Sequence, residues 1–72
     1  GQSDAGIADI NQEILLDPNV NTAWRALGNI YYSQNRAEEA LASYMRYYAL
    51  AGANPRQDVV DRINQLRAQL GV

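Results

Sequence analysis

The chain has 72 residues, a formal net charge of −2, and neither cysteine nor histidine. This length allows one small domain with a marginal core, and the missing residue types exclude disulfides and the usual zinc ligands. No basic stripe is present, which argues against nucleic-acid binding, and no apolar run approaches the roughly 20 residues of a membrane span. Hydrophobic residues make up 47% of the chain, so we expect a folded domain.

The first predicted helix covers about residues 4–16. Ile7, Ile10 and Ile14 fall on one face at helical spacing. The segment Asp17-Pro18-Asn19 then ends the helix, because the residue before a proline is disfavoured in the helical region.

A second helix is expected from about residue 21 to 34, with the Asn21 side chain as its N-cap. Trp24, Leu27 and Tyr31 share its apolar face, and we expect Trp24 to lie in the core between helices. Asn35 follows in the turn, where asparagine tolerates a left-handed conformation.

The third helix is predicted over residues 37–51 and ends at Gly52, a residue type that favours helix C-termini. Its helical spacing assigns Tyr44 and Tyr48 to the core, together with Tyr31 of the second helix. The adjacent Tyr47 is left unassigned.

The fourth helix is predicted over residues 55–70, because Pro55 is well tolerated in a first helical turn. Its apolar stripe consists of Val59, Ile63, Leu66 and Leu70. Asp58 and Arg62 stand four residues apart in the favourable order, so we expect them to form an ion pair.

An internal repeat appears at a shift of 34 residues, which matches apolar positions of the first helix with positions of the third. The matched pairs are Ile7 with Leu41, Ala8 with Ala42, Ile10 with Tyr44, Ile14 with Tyr48, and Leu16 with Leu50. The first and third helices therefore occupy equivalent places in a repeating unit.

The pattern W-x2-L-G-x2-Y from Trp24 to Tyr31, followed by A-x3-Y at Ala40 and Tyr44, resembles the tetratricopeptide repeat. The resemblance implies an all-α fold, an antiparallel helix–turn–helix α-solenoid fragment of four helices forming one unit over residues 1–72. Residues 4–16 would be the second arm of a preceding repeat, 21–51 a complete repeat, and 55–70 a capping helix at the C-terminal end of a longer array. Two departures are Tyr47 in place of alanine and Asn35 in place of a turn glycine.

The resemblance also implies a binding function, since partners of this family usually occupy the concave face lined by first arms. We therefore expect a protein–protein interaction module that binds a peptide or helix and takes no cofactor or small-molecule substrate. The groove residues carried over by position are Thr22, Arg25, Asn29, Tyr32 and Ser33.

Arg25 and Asn29 support a narrower hypothesis, capture of a peptide's C-terminal carboxylate. The planar guanidinium of arginine can bond a carboxylate through two hydrogen bonds. The alternative is a solvated polar groove that binds no carboxylate.

Self-association is a second hypothesis, from a different class of function. Alone, the first helix would expose an apolar stripe at Ile7, Ile10 and Ile14, and exposed stripes usually mark interfaces. Either a neighbouring repeat covers the stripe, or two copies pair as a homo-oligomer, with exchange of helices as one route.

Catalysis is not expected. The serines have no histidine to activate them, and no glycine-rich phosphate loop is present. Glu38 and Glu39 open the third helix, where carboxylates stabilise the positive end of the helix dipole.

Overall fold

A computed structural model of the protein describes residues 2–72, with side chains from Asp4 onward. This part of the chain forms four helices and contains no strand. The helices are α1 (Gln2–Leu16), α2 (Asn21–Ser33), α3 (Ala37–Ala51) and α4 (Gln57–Leu70). The expected all-α fold is confirmed.

Helix α4 begins two residues later than expected, at Gln57. Its N-cap, Arg56, is extended, with φ −65° and ψ 134°, so Pro55 belongs to the connection and not to the first turn. The Arg56 N–H donates to the Tyr47 hydroxyl at 2.8 Å, and this bond ties the start of α4 to α3.

Helices α2 and α3 form an antiparallel hairpin, which is the most extensive helix contact in the described residues. Gly28 of α2 and Tyr44 of α3 make a close contact between the two helices. A Cβ atom at Gly28 would lie 2.6 Å from Cδ1 of Tyr44, closer than real Cβ atoms approach. Only glycine therefore permits the tyrosine ring to lie against α2 at this position.

The hydrophobic core lies mainly between α3 and α4, with α2 packed against it. Tyr44 is completely buried, and Trp24 packs against the core while remaining partly exposed. The Trp24 indole Nε1–H also donates to the Pro18 carbonyl at 2.9 Å. The buried cluster consists of Ala40, Tyr44, Tyr47, Val59, Ile63 and Leu66.

The assignment of Tyr48 to the core is wrong. Tyr48 is 46% exposed, whereas the neighbouring Tyr47 is only 4% exposed. Tyr47 lies on the same stripe of α3 as Ala40 and Tyr44, and its hydroxyl has a polar partner in the Arg56 N–H. Adjacent helical residues point about 100° apart, so the position of α4 decides which of the two tyrosines it covers.

Apart from Pro55, the helix ends agree with the expected turn chemistry except at Asn21. Asn35 has φ 60°, the left-handed conformation expected of it, and Gly52 and Gly71 also have positive φ. Asn21, however, lies inside α2, and the N-cap is Val20, which makes no side-chain capping bond. The expectation that Asn21 caps α2 is therefore wrong.

Helix α1 packs against α2 without burying any of its described side chains. Ile7, Ile10 and Ile14 are each half-buried, so the stripe that they form is partly exposed. The exposed large apolar residues of α1 are instead Leu15 and Leu16, each 78% exposed. Across residues 2–72, no helix combines the length and apolar character that a membrane crossing requires.

Candidate functional site

The candidate site is the face where polar side chains of α2 meet those of α4, which we call the α2–α4 face. At its centre Asn29 Oδ1 accepts two hydrogen bonds, from the Tyr44 hydroxyl at 2.6 Å and from Arg62 Nη1 at 3.0 Å. Arg62 Nη1 also donates to the Tyr44 oxygen at 2.9 Å. The buried Tyr44 of α3 thus bonds one side chain of α2 and one of α4.

Arg62 is positioned a second time by Tyr32. Its guanidinium carbon lies 4.3 Å from the centroid of the Tyr32 ring, within the range of a cation–π contact. The Tyr32 hydroxyl donates in turn to Oε1 of Gln65 at 3.4 Å. Arg62 Nε and Nη2 make no hydrogen bond within the described protein, so these donors remain open to a ligand.

The electrostatics of this cluster keep Arg62 charged and Tyr44 neutral. Burial raises the pKa of Tyr44, and the hydrogen bond and positive charge of Arg62 oppose part of that rise. The hydrogen bond to Tyr44 raises the pKa of Arg62. The α2–α4 face therefore presents a fixed cation at neutral pH.

The other three residues predicted for the groove, Thr22, Arg25 and Ser33, differ in their exposure and in their hydrogen bonds. Arg25 stands one helical turn before Asn29, is half-buried, and has no ion pair or hydrogen-bond partner among the described residues. Thr22 is exposed at the start of α2. Ser33 donates its hydroxyl to the Ile30 carbonyl of its own helix at 2.7 Å, which uses its donor locally.

A shallow cavity of about 230 Å³ opens beside this cluster, at the end of α2. Tyr32 lines this cavity, together with Gln65 and Gln69 of α4. The remaining lining residues are Asn35, Ala37 and Leu66. The cavity is mostly polar and joins the two helices that carry the cationic cluster.

Sequence reasoning missed the role of Arg62, which was expected to pair with Asp58. The structure pairs Asp58 with Arg56, through distances of 3.1 and 3.3 Å, and this contact lowers the pKa of the Asp58 carboxyl. The sequence did contain one signal for this role, because Arg62 is adjacent to the buried Ile63 and lies at the edge of the apolar stripe of α4. A cation at that edge must either reach solvent or find a polar partner in the neighbouring helices.

The described residues contain no cluster of acidic side chains suited to holding a metal ion. The α2–α4 face offers hydrogen-bond donors and the positive charge of Arg62.

Comparison with known proteins adds no relative. No family model matches the chain, and neither a curated protein nor a solved structure matches it.

Proposed function

We propose that this protein is a protein–protein interaction module that binds a peptide segment of a partner on the α2–α4 face. The observation that carries the proposal is the fixed Arg62 guanidinium, which two hydrogen bonds and the Tyr32 ring hold while leaving donors free. An arginine ordered before binding loses less side-chain entropy when it takes a ligand.

The chemistry of this face favours a peptide that carries a carboxylate. Arg25 precedes Asn29 by one helical turn, Arg62 donates to Asn29, and neither arginine forms an ion pair with an acidic side chain among the described residues. Charge-assisted hydrogen bonds from arginine to a carboxylate are stronger than neutral ones. Asn29 Oδ1 is already occupied by Tyr44 and Arg62, so Asn29 would contribute its amide N–H groups.

A random peptide library selected against the protein provides the test. Peptides that it enriches are synthesised with a free C-terminal acid and with a C-terminal amide, and their affinities are measured by calorimetry. We expect Arg25→Ala to weaken binding by about tenfold or more, because a hydrogen bond to a charged group is lost. Arg25 has no hydrogen-bond or ion-pair partner among the described residues, so we expect this change to leave the fold intact.

Arg67→Ala is the matched control, since Arg67 is exposed and lines a different cavity. This variant is expected to bind as the wild type does. The proposal would be contradicted if Arg25→Ala and Arg67→Ala lost peptide affinity equally, or if the library yielded no enriched peptide. A difference between acid and amide forms identifies the C-terminal carboxylate as the bound group, and equal affinity assigns the contact to acidic side chains.

A further inference from the structure

The cavity beside the cationic cluster has walls that offer hydrogen bonds but carry no charge. Its polar side chains are the Tyr32 hydroxyl and the amides of Asn35, Gln65 and Gln69, and the buried Leu66 also lines it. None of the described residues that line this cavity is acidic or basic. The cavity therefore suits a neutral polar group better than a charged one.

The two glutamines of α4 bring unused hydrogen-bonding groups to the cavity. Gln65 and Gln69 are exposed and stand four residues apart, so they lie one above the other on the same side of the helix. Gln65 Oε1 accepts from the Tyr32 hydroxyl at 3.4 Å, while its amide N–H groups make no hydrogen bond among the described residues. The Gln69 side chain makes none with those residues either. This wall can thus both donate and accept hydrogen bonds.

The size of the cavity fits one side chain and not a separate small molecule. Its volume is about 230 Å³, below the roughly 300–1,000 Å³ that is typical of small-molecule pockets. A single side chain occupies so small a cavity when another part of the same peptide is anchored nearby, because anchoring gives the side chain a high effective concentration.

Tyr32 connects the cavity to the arginine at the centre of the α2–α4 face. Its ring centroid lies 4.3 Å from the guanidinium carbon of Arg62, while its hydroxyl bonds Gln65 in the cavity wall. Along α4, Gln65 and Gln69 follow Arg62 by roughly 4.5 and 10.5 Å, at a rise of about 1.5 Å per residue. An extended peptide advances about 3.3–3.6 Å per residue, so one to three of its residues span this distance.

We propose that this cavity, which we call the amide subsite, binds the side-chain carboxamide of a glutamine or asparagine in the bound peptide. The inference rests on the proposed function, because Arg62 holds a carboxylate of the same peptide one to three residues away. A carboxamide accepts from the open N–H groups of Gln65, and it both donates to and accepts from Gln69. A hydrocarbon side chain of the same length would leave these groups without partners, which is the basis of the selectivity.

Selection of one random peptide library against two proteins tests the inference. The first is the wild type, and the second carries Gln65→Met and Gln69→Met, which remove the amides at exposed positions and keep a good helix-forming residue. We expect the wild type to enrich glutamine or asparagine at one fixed position, and the double variant to enrich carboxylate peptides without that preference. Gln12→Met is the matched control, since Gln12 is exposed on α1 outside the cavity, and it should select as the wild type does.

A double-mutant cycle measured by calorimetry then locates the bound amide. An enriched peptide is compared with its analogue that has methionine in place of the glutamine, or leucine in place of the asparagine. This replacement should weaken binding to the wild type by about fivefold, as expected for a lost neutral hydrogen bond, and should change binding to the double variant by less than about twofold. Equal weakening in both proteins would overturn the inference, because the amide would then bind elsewhere.

The outcomes also separate this inference from the proposed function. Peptides whose binding depends on Arg25 but that show no preference for an amide would overturn the amide subsite and leave the proposed function standing. A library that yields no enriched peptide would contradict both.

Discussion

Two glycines at helix contacts show how differently the two halves of the molecule are packed. At Gly28, where α2 meets α3, a Cβ atom would overlap the ring of the fully buried Tyr44, at 2.6 Å from its Cδ1. At Gly6, where α1 meets α2, a Cβ atom would lie 3.4 Å from the flexible tip of Ile30. The region from α2 to α4 is closely packed around an aromatic core. Helix α1 packs against α2 through isoleucines that are only half-buried.

This difference bears on function because the α2–α4 face belongs to the closely packed region. A binding site supported by buried groups keeps its side chains in place before the ligand arrives. Helix α1, in contrast, carries exposed acidic residues, among them Asp9 and Glu13, and buries none of its described side chains. We expect the following changes to separate the two regions by their effects on stability.

The largest effect is expected from truncating the buried tyrosine. Tyr44→Ala should lower the free energy of unfolding by about 3–5 kcal/mol, because a large cavity opens and Asn29 and Arg62 lose their shared partner. The equivalent change in α1, Ile10→Ala, should cost about 1–2 kcal/mol since Ile10 is only half-buried. Urea unfolding followed by circular dichroism measures both. Equal losses would show that α1 is as closely packed as α3.

Substituting alanine for each of the two glycines should change the free energy of unfolding in opposite directions. Gly28→Ala is expected to destabilise the protein by about 1–3 kcal/mol, because the new methyl group overlaps the Tyr44 ring. Gly6→Ala should stabilise it by about 0.5–1 kcal/mol, since alanine favours the helix and meets only a movable side-chain tip. Thermal unfolding of the two variants compares them directly. A stabilised Gly28→Ala protein would rule out the close contact with Tyr44.

The smallest expected effect appears at alkaline pH. Burial raises the pKa of Tyr44 above its ordinary value of 10.0, so the folded state holds this proton more tightly than the unfolded chain. The stability that this provides is complete below pH 10.0 and is lost as the pH rises through the folded pKa.

Tyr44→Phe is the matched variant for this titration. It should be less stable by about 1 kcal/mol at neutral pH, because the hydroxyl no longer bonds Asn29 and Arg62. Above pH 10.0 its stability should fall less steeply than that of the wild type, since the other tyrosines are the same in both proteins. Urea unfolding across this pH range gives the two slopes, and identical slopes would contradict the assignment to Tyr44.

Much of the fold follows from local sequence patterns. The four helices appear as separate periodic segments, and their ends agree with the structure to within about two residues. Gly28 and Tyr44 belong to the repeat pattern read from the sequence, and the structure places the Tyr44 ring against Gly28. Such features are encoded by neighbouring residues, or by residues of one hairpin.

Features that depend on where α4 lies could not be predicted in the same way. Tyr47 and Tyr48 are adjacent and chemically identical, so only the position of α4 decides which one is buried. Arg62 has Asp58 one turn away on its own helix, yet it bonds to Tyr44 and Asn29 across the helix interfaces. The sequence therefore predicted Asn29 and Tyr32 as members of the candidate site and missed the arginine at its centre.

Residue-resolved amide hydrogen exchange on dilute protein tests most directly whether stability is concentrated in the region that carries the α2–α4 face. We expect amides of α2 and α3 to exchange only through global unfolding, and amides of α1 to be protected at least about tenfold less because α1 opens locally. Equal protection in α1 and α3 would contradict this division and show that the whole chain opens as one unit.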